Sequence, residues 1–206
     1  MKNTYALITG ASSGIGLEIA YKLAEKGYGI ILTARREERL IAYTNEIKDK
    51  YGVNVDYVTG DLAMPETPQN IYNFCKDNNY SVEVLVNNAG YGIPSQFHKT
   101  SMEDEEKSIR VLSTSVIALS KAFIPDMLEK KLGKIMIISS VASFAPPSTI
   151  QVLYGPLKTF MNRFSDALNV NYILNGISST AYCPVYVVTD FHSSSRVQYA
   201  MDRVPA

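Results

Sequence analysis

Tryptophan is absent from this chain, and thiols occur only at Cys75 and Cys183. The two cysteines lie far apart and in no metal-ligand spacing. That excludes a disulfide framework and points to a reducing, cytoplasmic setting. Histidine is scarce too: His98 and His192 stand alone, so no metal site is expected. Excess charge of either sign is missing, since 20 basic residues balance 20 acidic ones. The electrostatic case for a nucleic acid or an anionic membrane partner falls with it. No uninterrupted apolar run approaches the ~18 residues of a membrane span. No charged-then-apolar leader precedes the first apolar segment at residues 5–8, so no signal peptide is expected.

Apolar residues are plentiful. They make up 46% of the 206 positions against 19% charged, which suits one domain with a sizeable core, expected over 1–206. Short apolar runs alternate with longer amphipathic stretches. Strands are expected at 5–8, 29–34, 53–58, 82–86, 134–139 and 177–182. Ile15, Ile19 and Leu23 recur at helical spacing before Gly27, and further helices are expected at 36–50, 67–76 and 152–173. Thr100 and Glu103 form a capping box that opens a long helix to about 131, with Pro125 inside it to bend it or to remove one backbone bond. Continuous apolar strands alternating with helices make this an α/β chain. The expected layout is a doubly wound, Rossmann-like parallel sheet of about six strands with helices on both faces.

Between the first strand and first helix lie Gly10, Gly14 and Gly16 in a G-x-x-x-G-x-G spacing. Residues without a Cβ let the backbone approach a pyrophosphate, and the helix N-terminus offers free N–H groups to it. A glycine triplet alone also fits a plain tight turn; the flanking strand and helix favour the phosphate turn. Ser12, Ser13 and Ile15 belong to the same turn. The second strand ends in Arg35 and Arg36, with no acidic residue to meet a ribose 2′-hydroxyl. Arginine pairs with a 2′-phosphate, so NADP is preferred over NAD; the alternative is that both arginines solvate the helix start. Asp61 and Leu62 follow the third strand and are placed at the adenine edge. Asn87, Asn88, Ala89 and Gly90 follow the fourth and wall the cofactor site.

Tyr154 and Lys158 are four apart on an expected helix, so both face one side. A Tyr-x-x-x-Lys spacing alone is weak, and Tyr154 is one of 14 tyrosines. The ordered set of glycine turn, Asn-Asn-Ala-Gly turn, Ser139-Ser140 strand end and Tyr-Lys pair points to a nicotinamide-dependent oxidoreductase. These motifs, with Pro184 and Thr189 after the sixth strand, together resemble the short-chain dehydrogenase/reductase family over essentially the whole chain. The tract 139–168 resembles members that act on ketones of lipid-like or steroid-like substrates. The resemblance implies that Tyr154 is the general acid toward a carbonyl oxygen. It implies that Lys158 lowers the phenol's pKa from its usual ~10 and holds the nicotinamide ribose. Ser140 then hydrogen-bonds the substrate oxygen, with Ser139 as the fallback because the Ser-to-Tyr interval is one residue longer than usual. Thr189 matches the residue that contacts the carboxamide.

The chain departs from the family in four places. Counting back from Pro125 puts Leu112 where members carry an asparagine that holds a relay water. Pro156 stands inside the Tyr-Lys motif. Val185 replaces the glycine after Pro184. The chain is also shorter than typical members and is expected to lack their last helix and edge strand. The expectation is therefore an NADP-dependent reductase or dehydrogenase acting on a small carbonyl or alcohol. The family's dimer face implies a homodimer or homotetramer. The alternative is a catalytically impaired nucleotide-binding or oligomer-partner protein.

Overall fold

The computed structural model describes residues 4–148, 151–185 and 187. Six strands form one sheet: β1 (Thr4–Thr9), β2 (Gly29–Ala34), β3 (Val55–Thr59), β4 (Ser81–Asn87), β5 (Gly133–Ile138) and β6 (Ile177–Tyr182). Their order is β3-β2-β1-β4-β5-β6, and every pairing is parallel. The helices are α1 (Gly14–Glu25), α2 (Glu37–Tyr51), α3 (Thr67–Asp77), α4 (Met102–Ile109), α5 (Ser115–Lys130) and α6 (Tyr154–Tyr172). This is the doubly wound α/β layout, and chain direction reverses across the sheet between β1 and β4. Loops diverge there at the strands' C-terminal ends, which opens a crevice.

Side-chain alternation sorts the strands onto two cores. Ala6, Ile8, Ile30, Leu32, Val84 and Val86 pack with Ala20, Ala24, Leu40 and Ile47 of α1 and α2. Leu7, Ile31, Leu85, Ile135 and Ile137 pack with Ile71, Leu119, Phe123, Met127 and Met161 of the other face. A sheet buried on both faces explains why these strands read as unbroken apolar runs. Each fully buried aliphatic side chain contributes roughly 1.5–3 kcal/mol.

The long helical stretch differs from expectation twice. Its cap is Ser101, whose Oγ accepts from Asp104 N at 3.1 Å, while the Thr100 hydroxyl turns to the Glu105 carboxylate at 2.7 Å. Its interruption falls at a π-turn over Arg110–Thr114 and not at Pro125, which sits within α5. At this turn the hydroxyls of Ser113 and Ser115 donate back to the Ile109 and Val111 carbonyls at 2.6 and 2.8 Å, a local bond that competes with the helical ladder. By length and composition Met102–Lys130 is also long and apolar enough to cross a membrane, although polar residues interrupt its apolar runs. Half of its most apolar window is buried inside the fold, so core packing accounts for that hydropathy.

Candidate active site

A groove of about 1000 Å³ runs along the C-terminal ends of the strands. One end is built by the β1–α1 turn. Gly10 and Gly14 both adopt positive φ, 65° and 57°. A Cβ on Gly10 would lie 2.8 Å from Ala89 Cα and 2.9 Å from the Asn88 amide nitrogen, so glycine is required by space as well as by conformation. Ser12, Ser13, Gly14 and Ile15 line the groove. Gly16 does not: a Cβ there would run into the Asn88 amide and the Gly10 carbonyl, so its role is close packing. The turn is locked to the β4 end. Asn88 Nδ2 donates to the carbonyls of Thr9 (2.8 Å) and Gly10 (3.2 Å). The Thr9 hydroxyl in turn accepts from the backbone N–H groups of Asn88 and Ala89 at 2.9 and 3.0 Å.

Arg36, more than Arg35, closes this end. Its guanidinium donates to Ser12 Oγ at 2.9 Å and to Ser13 Oγ at 2.9 Å. Arg35 points to Asp61, with 3.9 Å between charged atoms on largely exposed side chains. Both arginines, Gly60, Asp61 and Leu62 line the groove. An arginine drawn over the α1 N-terminus makes a pocket for a phosphate. The neighbouring arginine offered no sequence signal for choosing between the two.

The other end holds the expected catalytic group. Tyr154 opens α6, and Lys158 follows one turn on. Pro156 falls in the first turn, where its missing N–H has no intrahelical partner, so it leaves the pair undisturbed. The Ser140 hydroxyl and the Tyr154 phenol hydrogen-bond to one another. Burial pushes the phenol above its ordinary value, and the Ser140 bond acts against that shift. Ser139 is engaged elsewhere, its Oγ donating to the Lys158 carbonyl at 2.9 Å. Lys158 is 3% exposed, and its Nζ donates to the Ile138 carbonyl at 2.7 Å. Burial lowers the amine to about 7, and Cys183 acts slightly in the opposite direction. Lys158 lies beside the Tyr154 ring, its Nζ 5.5 Å from the centroid.

Ala89 and Gly90 form the floor between the two ends. A Cβ on Gly90 would meet the Leu112 side chain at 2.7 Å and lie 3.7 Å from Lys158 Nζ. Leu112 is fully buried, so the position where the family has an asparagine presents only methyl groups. Pro184, Val185 and Val187 complete the wall, joined by Tyr91 and Gln151, which sequence reasoning did not single out. Thr189 lies outside the described residues. Among the described residues no cluster of possible metal ligands occurs.

The groove suits a dinucleotide. It has a phosphate turn that a Cβ would block, a basic pocket at one end, and a phenol with a buried amine at the other. Comparison with known proteins agrees. The family described as short chain dehydrogenase matches residues 4–200. The "Very-long-chain 3-oxoacyl-CoA reductase" of Anas platyrhynchos is 32% identical over 201 residues, covering 95% of this chain and 63% of that protein. The "Inactive hydroxysteroid dehydrogenase-like protein 1" of Homo sapiens is 33% identical over 197 residues, covering 93% of this chain and 58% of that protein. The chain thus spans under two thirds of these relatives' length. A solved short-chain dehydrogenase from Sphingobium yanoikuyae in complex with NADPH superposes with a TM-score of 0.90 at 30% identity, over 98% of this chain and 77% of that one.

Proposed function

Because this chain belongs to the short-chain dehydrogenase family, we propose that it is an oxidoreductase moving hydride between NADP(H) and a carbonyl or alcohol substrate, with Tyr154 as general acid and base. The observation that carries this reading is the Tyr154–Ser140 hydroxyl pair beside buried Lys158, at the far end of a groove whose near end is Ser12, Ser13 and Arg36. NADP(H), when bound, supplies or accepts the hydride. Arg36, Ser12 and Ser13 suit its 2′-phosphate, and the β1–α1 turn suits its diphosphate.

The Ser140 and Tyr154 hydroxyls lie within hydrogen-bond reach of one another, so a carbonyl oxygen seated between them accepts from both. Ser140 stabilises the charge that develops on it, and Tyr154 delivers the proton. An amine held near neutrality by burial changes protonation over the working pH range, which suits Lys158 to return that proton. Leu112 offers no polar atom to this path, and the Ile138 carbonyl beside it accepts from Lys158 Nζ. The free thiols of Cys75 and Cys183 support a cytoplasmic setting. Exposed Ile109 and Ile117 on the α4–α5 side support a homo-oligomer.

The test is NADPH oxidation with a panel of ketones. Wild type consumes NADPH with at least one, and Tyr154→Phe loses roughly 100-fold or more in kcat while still binding NADPH. Equal rates in the two proteins refute the assignment. The second reading, a nucleotide binder with impaired turnover, is favoured by Leu112 and by the name of the human relative. NADPH binding with no ketone reduced selects it.

A further inference from the structure

Ser140 stands on a loop, at the entrance to a short 3-10 turn over Val141–Ser143. A hydroxyl on a loop keeps its place only through the groups that hold the loop. Here the holding runs through Ser143. Its N–H and its Oγ both donate to the Ser140 carbonyl, at 3.1 and 2.6 Å. The single hydroxyl proton of Ser143 is thereby committed, so its oxygen can only accept a further bond. Asn162 Nδ2 donates that bond at 2.7 Å. Oδ1 of the same carboxamide accepts from the Cys183 thiol at 3.4 Å. Both sides of the amide are engaged, and the committed Ser143 proton fixes which side is which.

Asn162 lies on α6 one helical turn beyond Lys158 and two beyond Tyr154, so the three share a helix face. It joins three parts of the site. These are the helix that bears the phenol and the amine, the turn that follows Ser140, and the end of β6. At the last of these, Cys183 precedes Pro184, whose carbonyl accepts from Val141 N at 3.1 Å. The second fastener of the turn is a divided one: the Thr159 hydroxyl is 3.0 Å from the Ser143 carbonyl and equally 3.0 Å from that of Gly155. We infer that Asn162 is a positioning residue for Ser140, clamping the turn to α6 and so setting where the Ser140 hydroxyl stands relative to the Tyr154 phenol. This rests on the reductase reading above and adds a residue to it. A misplacement of about 1 Å in such a pair costs ~100-fold in rate. Asn162 and Ser143 are only half-buried, so water replaces part of a lost bond and the cost falls to about tenfold.

The experiment measures ketone reduction at saturating NADPH. Asn162→Leu fills similar space without a donor or acceptor. It lowers kcat about tenfold and leaves NADPH affinity unchanged, since Ser12, Ser13 and Arg36 hold the other end of the groove. Ser143→Ala removes the middle of the clamp and gives the same loss, and it carries the test alone should Asn162→Leu fail to fold. The double variant is no slower than either single one, and Asn162→Leu adds nothing once Ser140 is replaced by alanine. A wild-type kcat in the single variants, or a further loss of about tenfold on top of Ser140→Ala, overturns the inference and leaves the reductase reading standing. If wild type reduces no ketone, the reductase reading fails by itself and the clamp is read by hydrogen exchange over residues 139–145. Exchange about tenfold faster in Asn162→Leu than in wild type supports the clamp, and equal exchange overturns it.

Discussion

Replacing Lys158 by methionine is expected to stabilise the fold. The amine is buried, its Nζ has one hydrogen bond to the Ile138 carbonyl, and no carboxylate pairs with it among the described residues. Burial lowers it from 10.5 to about 7. The unfolded chain therefore holds the lysine proton up to the ordinary value, whereas the folded chain releases it near neutrality. Between these limits the unfolded state binds more protons, so stability rises with pH. Below about pH 7 both states are protonated and the full penalty is present; above about pH 10.5 it has vanished. Roughly three pKa units at ~1.4 kcal/mol each give a penalty of about 4 kcal/mol at neutral pH. Methionine fills similar volume without the charge but forfeits the hydrogen bond, worth about 1 kcal/mol. The net gain is about 3 kcal/mol. Urea unfolding followed by circular dichroism at about pH 7 and about pH 9 measures it. Wild type gains about 2 kcal/mol more than Lys158→Met across that interval. Parallel pH dependence in the two proteins refutes the reasoning. A fold that carries such a penalty carries it for the site.

Three further expectations follow from named contacts. Arg36→Ala, which removes the guanidinium from Ser12 and Ser13, weakens NADPH binding by about 10–100-fold and leaves NADH nearly unchanged, read by isothermal titration. Asn88→Ala deprives the Thr9 and Gly10 carbonyls of their side-chain donor and destabilises the fold by about 1–3 kcal/mol, read by urea unfolding. Iodoacetamide labels Cys183 before Cys75 in the native protein, as peptide mapping will show. Cys75 is fully buried and pushed up to about 12, which leaves almost no thiolate at assay pH.

The sheet was legible because strands buried on both faces leave continuous apolar runs; β2 and β6 fall on their expected ranges. The α4–α5 stretch was less so. Serine hydroxyls bond back to helix carbonyls at the π-turn, and nothing in apolar periodicity marks them. Gly10, Gly14, Asn88, Tyr154 and Lys158 stand out in the sequence because their spacing reflects a backbone or helical constraint, and they line one groove. Ser140 over Ser139 was decided by which hydroxyl the helix backbone captures, a tertiary fact. Arg36 over Arg35 depended on which guanidinium reaches two serines across the turn. Gln151 carries no motif, and its left-handed backbone is not visible in the sequence.

Isotope transfer tests the central claim most directly. NADPH carrying deuterium at the transferable position of its nicotinamide is incubated with the protein and a reducible ketone, and the alcohol is analysed by mass spectrometry. One deuterium is expected on the carbinol carbon with wild type, and almost no alcohol with Tyr154→Phe. Alcohol formed without the label, or formed equally well by Tyr154→Phe, contradicts it.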